Sequence, residues 1–277
     1  MTSSSILRRL AAVALTVLVA TPAVAAAEEP SAEINLMVLR ENASGSASAA
    51  QGYIDELVVA IAKTAGWDSA AGKYVTRRSA AETYIGQTKP QFGILSLSAY
   101  LAMRTKHDLK VLGKADIQSG GGHQFFVISK DELSLGGCKE KPLGTNHSDT
   151  KFIDAVVSGD DFDLSDFEVK DTRRPVATLK AVIDGDVACA LIDDAQLMEL
   201  QHLEGGLEIH PVWSSKTLPP MVVAAFPSAD DAQRKSFTKA LDTVCAGEGK
   251  KACSDTSIEL ASAPADAFGE YEKAYGG

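Results

Sequence analysis

The feature that most constrains the fold is the regular alternation of strand-like and helix-like segments from residue 34 onward. Short apolar runs, such as those at 34–39 and 91–95, are each followed by a segment whose apolar residues recur at helical spacing. Repeated units of this kind place strands side by side in parallel, with helices covering both faces of the sheet. The pattern therefore predicts an α/β fold with mainly parallel sheets flanked by helices.

Two places break the alternation and divide the chain. Three glycines at 120–122 precede a predicted strand at 123–129, and two prolines at 219–220 precede another at 221–226. We interpret both places as crossings between two α/β lobes that are joined by a two-strand hinge and separated by a cleft. One long sheet is the alternative. The predicted organisation is a leader at 1–27, a first lobe built from 28–122 and 221–277, and a second lobe at 123–220.

The N-terminus has the three parts of a secretory signal peptide. Arg8 and Arg9 form a short positive region, an apolar run continues to Val19, and small residues at 23–27 offer a cleavage site. The apolar run is shorter than the roughly 20 residues that span a membrane. We predict export to the periplasm or secretion, with no stable membrane insertion. An uncleaved membrane anchor is the alternative.

The charge balance excludes two classes of partner. The chain contains 27 basic and 37 acidic residues, which gives a net charge of −10, and it would lose Arg8 and Arg9 with the leader. Because no basic stripe offsets this acidity, the protein should repel nucleic acid and anionic lipid. We therefore set nucleic acid and anionic membranes aside as partners, and we expect a monomer.

Four cysteines in an exported chain favour disulfides over free thiols. Cys245 and Cys253 flank a glycine-containing turn that can close locally, which leaves Cys138 to pair with Cys189. A zinc site is the competing interpretation, but the sequence has no Cys-x-x-Cys pair and no clustered histidines. We predict two disulfides, no metal centre and no cofactor.

Four stretches resemble the PhnD-like, type II periplasmic binding proteins, which serve ABC importers of phosphate, phosphite and phosphonates. They follow one another along the chain at 91–100, 142–150, 179–193 and 212–223. The third stretch resembles the family's helix that ends in Gly-Asp and its buried strand that delivers a polar residue to the cleft. The resemblance implies a two-lobed fold, a role in solute binding rather than catalysis, and an ABC transporter permease as partner.

The chain departs from the family pattern at two points. Asn146, His147 and Asp149 interrupt the run of small hydroxyl residues that precedes the first helix of the second lobe. Gln91 and Gly93 stand where an acidic residue is common in the first-lobe strand. A carboxylate such as Asp149 competes with an anionic ligand for the N–H groups of a helix start. The resemblance therefore implies the fold and the binding role, and phosphonate is only one candidate ligand.

The candidate site follows from the position of polar residues at strand ends. Ligands of open α/β sheets bind beyond the carboxyl ends of the strands. Hydroxyl and N–H donors there suit an oxyanion, and an arginine there can hold carboxylate or phosphate with two hydrogen bonds. A carboxylate at the end of the buried strand favours an amine or a neutral donor. The candidate ligand-binding residues are Arg40, Ser96, Ser98, Tyr100, Thr145, Asn146, His147, Ser148, Arg173 and Asp193.

Each of these candidates has an alternative structural role. Ser98 and Ser148 can cap helices, as can either Asp193 or Asp194. The arginines can lie in solvent, and Tyr100 can pack in the core. The sequence contains no nucleophile elbow, phosphate-binding loop or dinucleotide fingerprint that would indicate catalysis.

These observations favour a binding protein over an enzyme. We expect a periplasmic protein that closes two lobes around an oxyanionic, phosphonate- or phosphate-like solute and presents it to an importer. The alternatives are a ligand-sensing module that signals through a partner protein and an exported hydrolase.

Overall fold

The computed structural model describes residues 33–43, 47–117, 120–219 and 221–276, so the predicted leader lies outside the described residues. Within these ranges there are eleven strands and ten α-helices. The strands are β1 (Ile34–Leu39), β2 (Ala70–Val75), β3 (Phe92–Leu95), β4 (Lys110–Ile117), β5 (Phe125–Ser129), β6 (Pro142–Thr145), β7 (Glu168–Asp171), β8 (Cys189–Asp193), β9 (His210–Ser214), β10 (Met221–Ala225) and β11 (Ile258–Ser262). The helices are α1 (Ala47–Ala65), α2 (Arg78–Thr88), α3 (Leu97–Met103), α4 (Leu135–Cys138), α5 (Thr150–Phe152), α6 (Pro175–Ile183), α7 (Asp194–Leu200), α8 (Asp231–Leu241), α9 (Lys250–Thr256) and α10 (Gly269–Gly276).

The strands form two separate sheets, and this confirms the predicted two-lobed α/β fold. The strand order is β11-β4-β10-β3-β1-β2 in the first sheet and β7-β6-β8-β5-β9 in the second. The prediction of mainly parallel sheets is wrong, because the described strands form four parallel and five antiparallel pairs. The physical reason is connectivity. Strands joined by a helical crossover run parallel, whereas β5 and β10 enter from the other lobe and run antiparallel to their neighbours.

The chain crosses between the two sheets twice. The first crossing joins β4 to β5, and the second joins β9 to β10. The described residues of the two crossings hydrogen-bond to each other: the Leu218 N–H donates to the His123 carbonyl at 2.7 Å, and the Ser215 N–H donates to the Phe125 carbonyl at 2.8 Å. The predicted hinge corresponds to this pair of connecting segments.

Helix boundaries follow local sequence signals. Pro175 occupies the first turn of α6, where its missing N–H leaves no hydrogen bond unmade. Asp193 caps α7 and Asp230 caps α8, each through a reciprocal pair of hydrogen bonds with a glutamine three residues later. No helix in the described ranges is long and apolar enough to cross a membrane.

Helices cover both faces of the first sheet, and the apolar core is continuous across the two lobes. One buried cluster packs β1, β3 and β10 against α1 and α8. A second cluster contains Leu39 and Leu95 from the first sheet together with Phe125 and Leu143 from the second. The sheets therefore share packed side chains as well as the two crossing segments.

The C-terminal helix α10 contacts both lobes. The Tyr100 hydroxyl donates to Glu272 Oε1 at 2.5 Å on the first-lobe side. On the second-lobe side the Tyr275 hydroxyl donates to Asp149 Oδ2 at 3.1 Å, and the Lys151 ammonium lies 5.0 Å from the centre of the Tyr275 ring. This helix ties the end of the chain to both sides of the cleft.

Both predicted disulfides are present. Cys138 pairs with Cys189 and joins α4 to the first residue of β8, with the two Cα atoms 5.9 Å apart. Cys245 pairs with Cys253 on α9, with the two Cα atoms 5.5 Å apart. The described residues contain no free cysteine.

We expect the longer disulfide to stabilise the fold more than the shorter one. The cysteines are 51 residues apart in the first bridge and 8 apart in the second. Loop entropy then gives stabilisation of about 4 kcal/mol and about 2.5 kcal/mol respectively. Urea unfolding of C138A/C189A and C245A/C253A under non-reducing conditions would measure both losses. Equal losses would contradict this order.

Candidate functional site

A cavity of about 740 Å³ lies between the two sheets. It is lined by residues that follow β1, β2 and β3 in the first sheet and β6, β7 and β8 in the second, and by the glycines of the first crossing. These are the carboxyl ends of the parallel strands, where ligands of α/β sheets bind. The predicted ligand-binding residues that line the cavity are Arg40, Ser96, Ser98, Asn146, His147, Ser148, Arg173 and Asp193.

Two predicted residues lie in the core instead. Tyr100 is 2% exposed, and its ring packs against Phe268. Because it comes two residues after Ser98 on α3, helical rotation turns it away from the cavity. The Thr145 hydroxyl donates to the Leu191 carbonyl at 3.0 Å and accepts from the His147 N–H, so it stabilises the end of β6.

Among the described residues five arginines line the cavity, and three of them, Arg77, Arg78 and Arg174, are absent from the predicted ligand-binding set. Arg77 lies between β2 and α2 and Arg78 is the first residue of α2, close to the position that Arg173 and Arg174 take between β7 and α6. The sequence therefore contained a pattern that could have identified Arg77 and Arg78, since an arginine pair follows a strand in both places. The fifth arginine, Arg40, follows β1 and donates to the carbonyl of Gly120 in the first crossing.

Arg78 is neutralised by carboxylates from both lobes. Its guanidinium holds Glu41 with two hydrogen bonds of 2.9 and 2.6 Å and contacts Asp149 Oδ2 at 3.0 Å. Ser98 donates to the same Glu41 carboxylate at 3.0 Å. Glu41 and Arg78 belong to the first lobe and Asp149 to the second, so this ion pair network joins the lobes across one side of the cavity.

Three other arginines remain available for a ligand. Among the described residues, Arg77, Arg173 and Arg174 have no carboxylate within 4.0 Å. All three are exposed. Guanidinium groups from the two lobes therefore face one cavity without anionic partners of their own.

The helix start that follows β6 already holds a carboxylate. Asp149 caps α5 by accepting from the Phe152 N–H at 3.0 Å. The Phe152 N–H at this helix start therefore already has a partner within the protein. Oxyanion recognition in the cleft would depend on the arginines rather than on a free helix start.

The two aspartates at the junction of β8 and α7 have different environments. Asp193 lines the cavity and accepts from the Gln196 N–H at 2.9 Å, so it both caps α7 and faces the cleft. Burial raises the pKa of Asp193 to about 6. Asp194 instead accepts from the N–H groups of His123 and Gln124 at 3.0 and 3.3 Å, and thereby holds the first crossing against the second lobe.

His147 uses both ring nitrogens within the protein. Its Nε2 lies 3.2 Å from Gln196 Oε1, and its Nδ1 lies 3.1 Å from the amide nitrogen of Asn42 in the other lobe. Because Gln196 Oε1 can only accept, the neutral ring carries its proton on Nε2 and accepts at Nδ1. Burial lowers the pKa of His147 to about 4. Both ring nitrogens of His147 therefore have protein partners, and one of these hydrogen bonds joins the two lobes.

A smaller cavity of about 250 Å³ adjoins the main one and shares Asn42, Gly120 and Asp193 with it. Its remaining wall is largely apolar and includes Val176 and Leu179 from α6. In the described part of the chain, no group of three or more His, Cys, Asp or Glu side chains is arranged to hold a metal ion.

Solved structures with the same architecture are known, although no protein-family model and no curated protein matches the chain. A protein from Xanthomonas citri bound to ATP has a TM-score of 0.68 at 9% identity, over 87% of this chain and 97% of that one. PhnD1 from Prochlorococcus marinus in complex with methylphosphonate has a TM-score of 0.60 at 11% identity, over 86% and 96%. A binding protein component of an ABC phosphonate transporter from Pseudomonas aeruginosa has a TM-score of 0.59 at 14% identity, over 83% and 81%. The chain therefore has the fold of the periplasmic binding proteins, which confirms the fold implied by the sequence resemblance.

We expect the stability of the wild-type protein to change little with pH between about 6.5 and 4.5, because two buried groups oppose each other. His147 has a pKa of about 4 when folded and 6.5 as its ordinary value. Acidification therefore protonates the unfolded chain first and lowers the free energy of unfolding. Asp193 has a pKa of about 6 when folded and 3.8 as its ordinary value, so acidification protonates the folded chain first and raises that free energy.

Asp193→Asn should reveal how much His147 contributes to the pH dependence of stability, because the variant lacks the opposing titration of Asp193. Between pH 6.5 and 4.5 the free energy of unfolding of this variant should fall by about 2 kcal/mol more than that of the wild type. Urea unfolding followed by tryptophan fluorescence measures this difference. Asp230→Asn is the control, because it weakens the equivalent helix cap of α8 and shows what the loss of a cap alone does to stability. Parallel pH profiles for Asp193→Asn and wild type would contradict the expectation.

Proposed function

We propose that the chain is an exported solute-binding protein that encloses a small oxyanionic solute between its lobes and delivers it to an ABC importer. In this proposal residues 1–27 are removed on export. Residues 28–122 and 221–277 form the first lobe, and residues 123–220 form the second. The protein acts in the periplasm as a monomer, and its partner is the permease of the importer. Its role is binding rather than catalysis.

The observation that carries this proposal is the set of arginines without carboxylate partners on one interlobe cavity. The chain as a whole has a net charge of −10. Arg77 from the first lobe and Arg173 and Arg174 from the second nevertheless line the same space. A ligand that carries negatively charged oxygens can accept charge-assisted hydrogen bonds from both lobes at once. Such a ligand would stabilise the closed arrangement of the lobes more than the open one.

The compounds bound by proteins of the same fold support the oxyanion class. The Prochlorococcus marinus protein is in complex with methylphosphonate, and the Xanthomonas citri protein is bound to ATP. Both compounds carry phosphorus oxyanions. A cavity of about 740 Å³ in the present chain is larger than a single phosphonate group requires, so the solute can carry further substituents.

Two measurements on the purified mature protein test the binding role. Mass spectrometry of small molecules released on denaturation would identify a co-purifying solute. Thermal unfolding with phosphate, methylphosphonate, an aliphatic sulfonate, a dicarboxylate and an amine would then rank the classes by the rise in melting temperature. We expect an oxyanion to give the largest rise. A protein that releases no solute and responds to none of these compounds would contradict the proposal.

Variants of the available arginines should lose affinity for the oxyanion. We expect Arg77→Ala and Arg173→Ala each to weaken binding by about 10- to 100-fold, because each removes a charge-assisted hydrogen bond from a different lobe. Isothermal titration calorimetry with the oxyanion ranked first by thermal unfolding measures the change.

Arg234→Ala is the matched control for these variants. Arg234 lies on α8, pairs with Asp231 and does not line the cavity. Its substitution should leave affinity unchanged. Equal affinities for all four proteins would show that the solute does not contact the arginines.

A further inference from the structure

The C-terminal helix α10 reaches both lobes without a buried face of its own. It has eight residues, and none of them is buried. It packs against α3 of the first lobe and against residues 153–157 of the second. A helix of this length is not stable in isolation. Its position therefore depends on a small number of side-chain contacts, which differ between the two lobes.

The contacts with the first lobe keep α10 attached to that lobe. Residues 263–268 alone separate the helix from β11 of the first sheet, and Phe268 among them is buried and packs against the Tyr100 ring. Glu272 accepts from the Tyr100 hydroxyl at 2.5 Å, and its carboxylate lies 3.5 Å from the Arg104 guanidinium. Arg104 also donates to the Glu272 backbone carbonyl at 3.2 Å. If the lobes separate, we expect α10 to move with the first lobe.

The polar contacts with the second lobe come from the last turn of the helix. The Tyr275 hydroxyl donates to Asp149 Oδ2 at 3.1 Å. The Lys151 ammonium lies 5.0 Å from the centre of the Tyr275 ring, and this lysine is exposed. A cation–π contact at an exposed site contributes little, whereas a hydrogen bond to a charged group is among the stronger ones. The bond from Tyr275 to Asp149 is therefore the main polar tie between α10 and the second lobe.

Asp149 is the acceptor on which the ties between the lobes converge on this side of the cavity. Its carboxylate belongs firmly to the second lobe, because it accepts from the Phe152 N–H at 3.0 Å. The same carboxylate accepts from Arg78 of the first lobe at 3.0 Å and from Tyr275 of α10. Asp149 also lines the cavity. Separation of the lobes on this side consequently breaks both hydrogen bonds at one carboxylate.

We propose that α10 acts as a latch, which moves with the first lobe and holds the second lobe closed through the hydrogen bond from Tyr275 to Asp149. All of its members belong to the chain, so the latch keeps the protein mainly closed before a solute binds. It stabilises the closed form equally with and without solute, and it therefore sets the rate of solute exchange rather than the affinity. The effect on exchange rests on the proposed function, whereas the effect on the lobes does not.

Single-molecule fluorescence energy transfer between the lobes tests the latch in the solute-free mature protein. Val59 of the first lobe and Leu207 of the second are 63% and 85% exposed, so dyes attached there through non-canonical residues report the separation of the lobes without an added cysteine. Tyr275→Phe removes the hydroxyl and keeps the ring. It should raise the ratio of open to closed molecules about 10-fold, the effect of one lost hydrogen bond to a charged group. An unchanged ratio, or a wild type that is mainly open, would overturn the inference.

Tyr271→Phe is the matched control. Tyr271 lies one turn earlier on α10, and its hydroxyl interacts with Glu270 of the same helix. This substitution also removes one hydroxyl from α10, but that hydroxyl makes no tie to Asp149. The ratio of open to closed molecules should stay at the wild-type value. If Tyr271→Phe opens the cleft as much as Tyr275→Phe does, the cause is a general loosening of the helix and the inference fails.

Stopped-flow measurements with methylphosphonate and with phosphate test the effect on exchange. In Tyr275→Phe the association and dissociation rate constants should rise together by about 10-fold, and Kd should stay within about 3-fold of the wild-type value. A rise in Kd with an unchanged association rate would show that Tyr275 contacts the solute, and would overturn the latch. If the wild type binds neither anion but Tyr275→Phe opens the empty cleft as expected, the proposed solute class fails and the latch stands.

Discussion

The hydrogen bonds between the two crossing segments are the constraint on which the cleft depends. They pair residues 123–125 with 215–218 and set the position of one sheet relative to the other. With that position set, the carboxyl ends of six parallel strands face a single cavity.

Gly121 belongs both to the first crossing and to the cavity wall. It has a φ of 78°, and a Cβ there would lie 2.6 Å from Asp193 Oδ2, so the crossing passes the site carboxylate at a distance that only glycine permits. A movement of the hinge would therefore change the distance between Gly121 and Asp193 in the cavity wall.

The charges of the cavity fall into two functional groups. Arg78 is held by Glu41 and Asp149 and joins the lobes, whereas Arg77 and Arg173 have no such partners among the described residues and face the space where a solute would bind. Asp149 also accepts from Tyr275 of α10, so the interlobe ion pair continues into the C-terminal helix. Opposite charges thus hold the lobes together on one side of the cleft. The arginines without carboxylate partners among the described residues are the basis on which an anionic solute is proposed.

In the second-lobe wall of the cavity, hydrogen bonds among buried polar groups determine which side-chain atoms donate and which accept. Several buried polar side chains of the second lobe hydrogen-bond to one another: Gln196 contacts both Asn146 and His147, which line the cavity. Their hydrogen bonds begin at backbone groups of α6 and α7, whose direction cannot reverse. Such a network specifies one arrangement of its members, since any rotated amide places like groups against each other. For the proposed binding site, the same contacts would supply the rigidity needed to discriminate between solutes.

The sequence by itself determined the α/β class, the two crossings, the local pairing of Cys245 with Cys253 and the placement of polar residues at strand ends. These features depend on local periodicity, on cysteine spacing and on a general property of parallel sheets. Only the tertiary structure decided that the sheets are mixed, that Tyr100 and Thr145 lie in the core, and that both nitrogens of His147 have protein partners. Those outcomes depend on contacts such as Arg78 with Asp149 and Asn42 with His147, which join residues 71 and 105 positions apart. Local pattern contains no information on such pairs, because they form only when the two lobes are brought together.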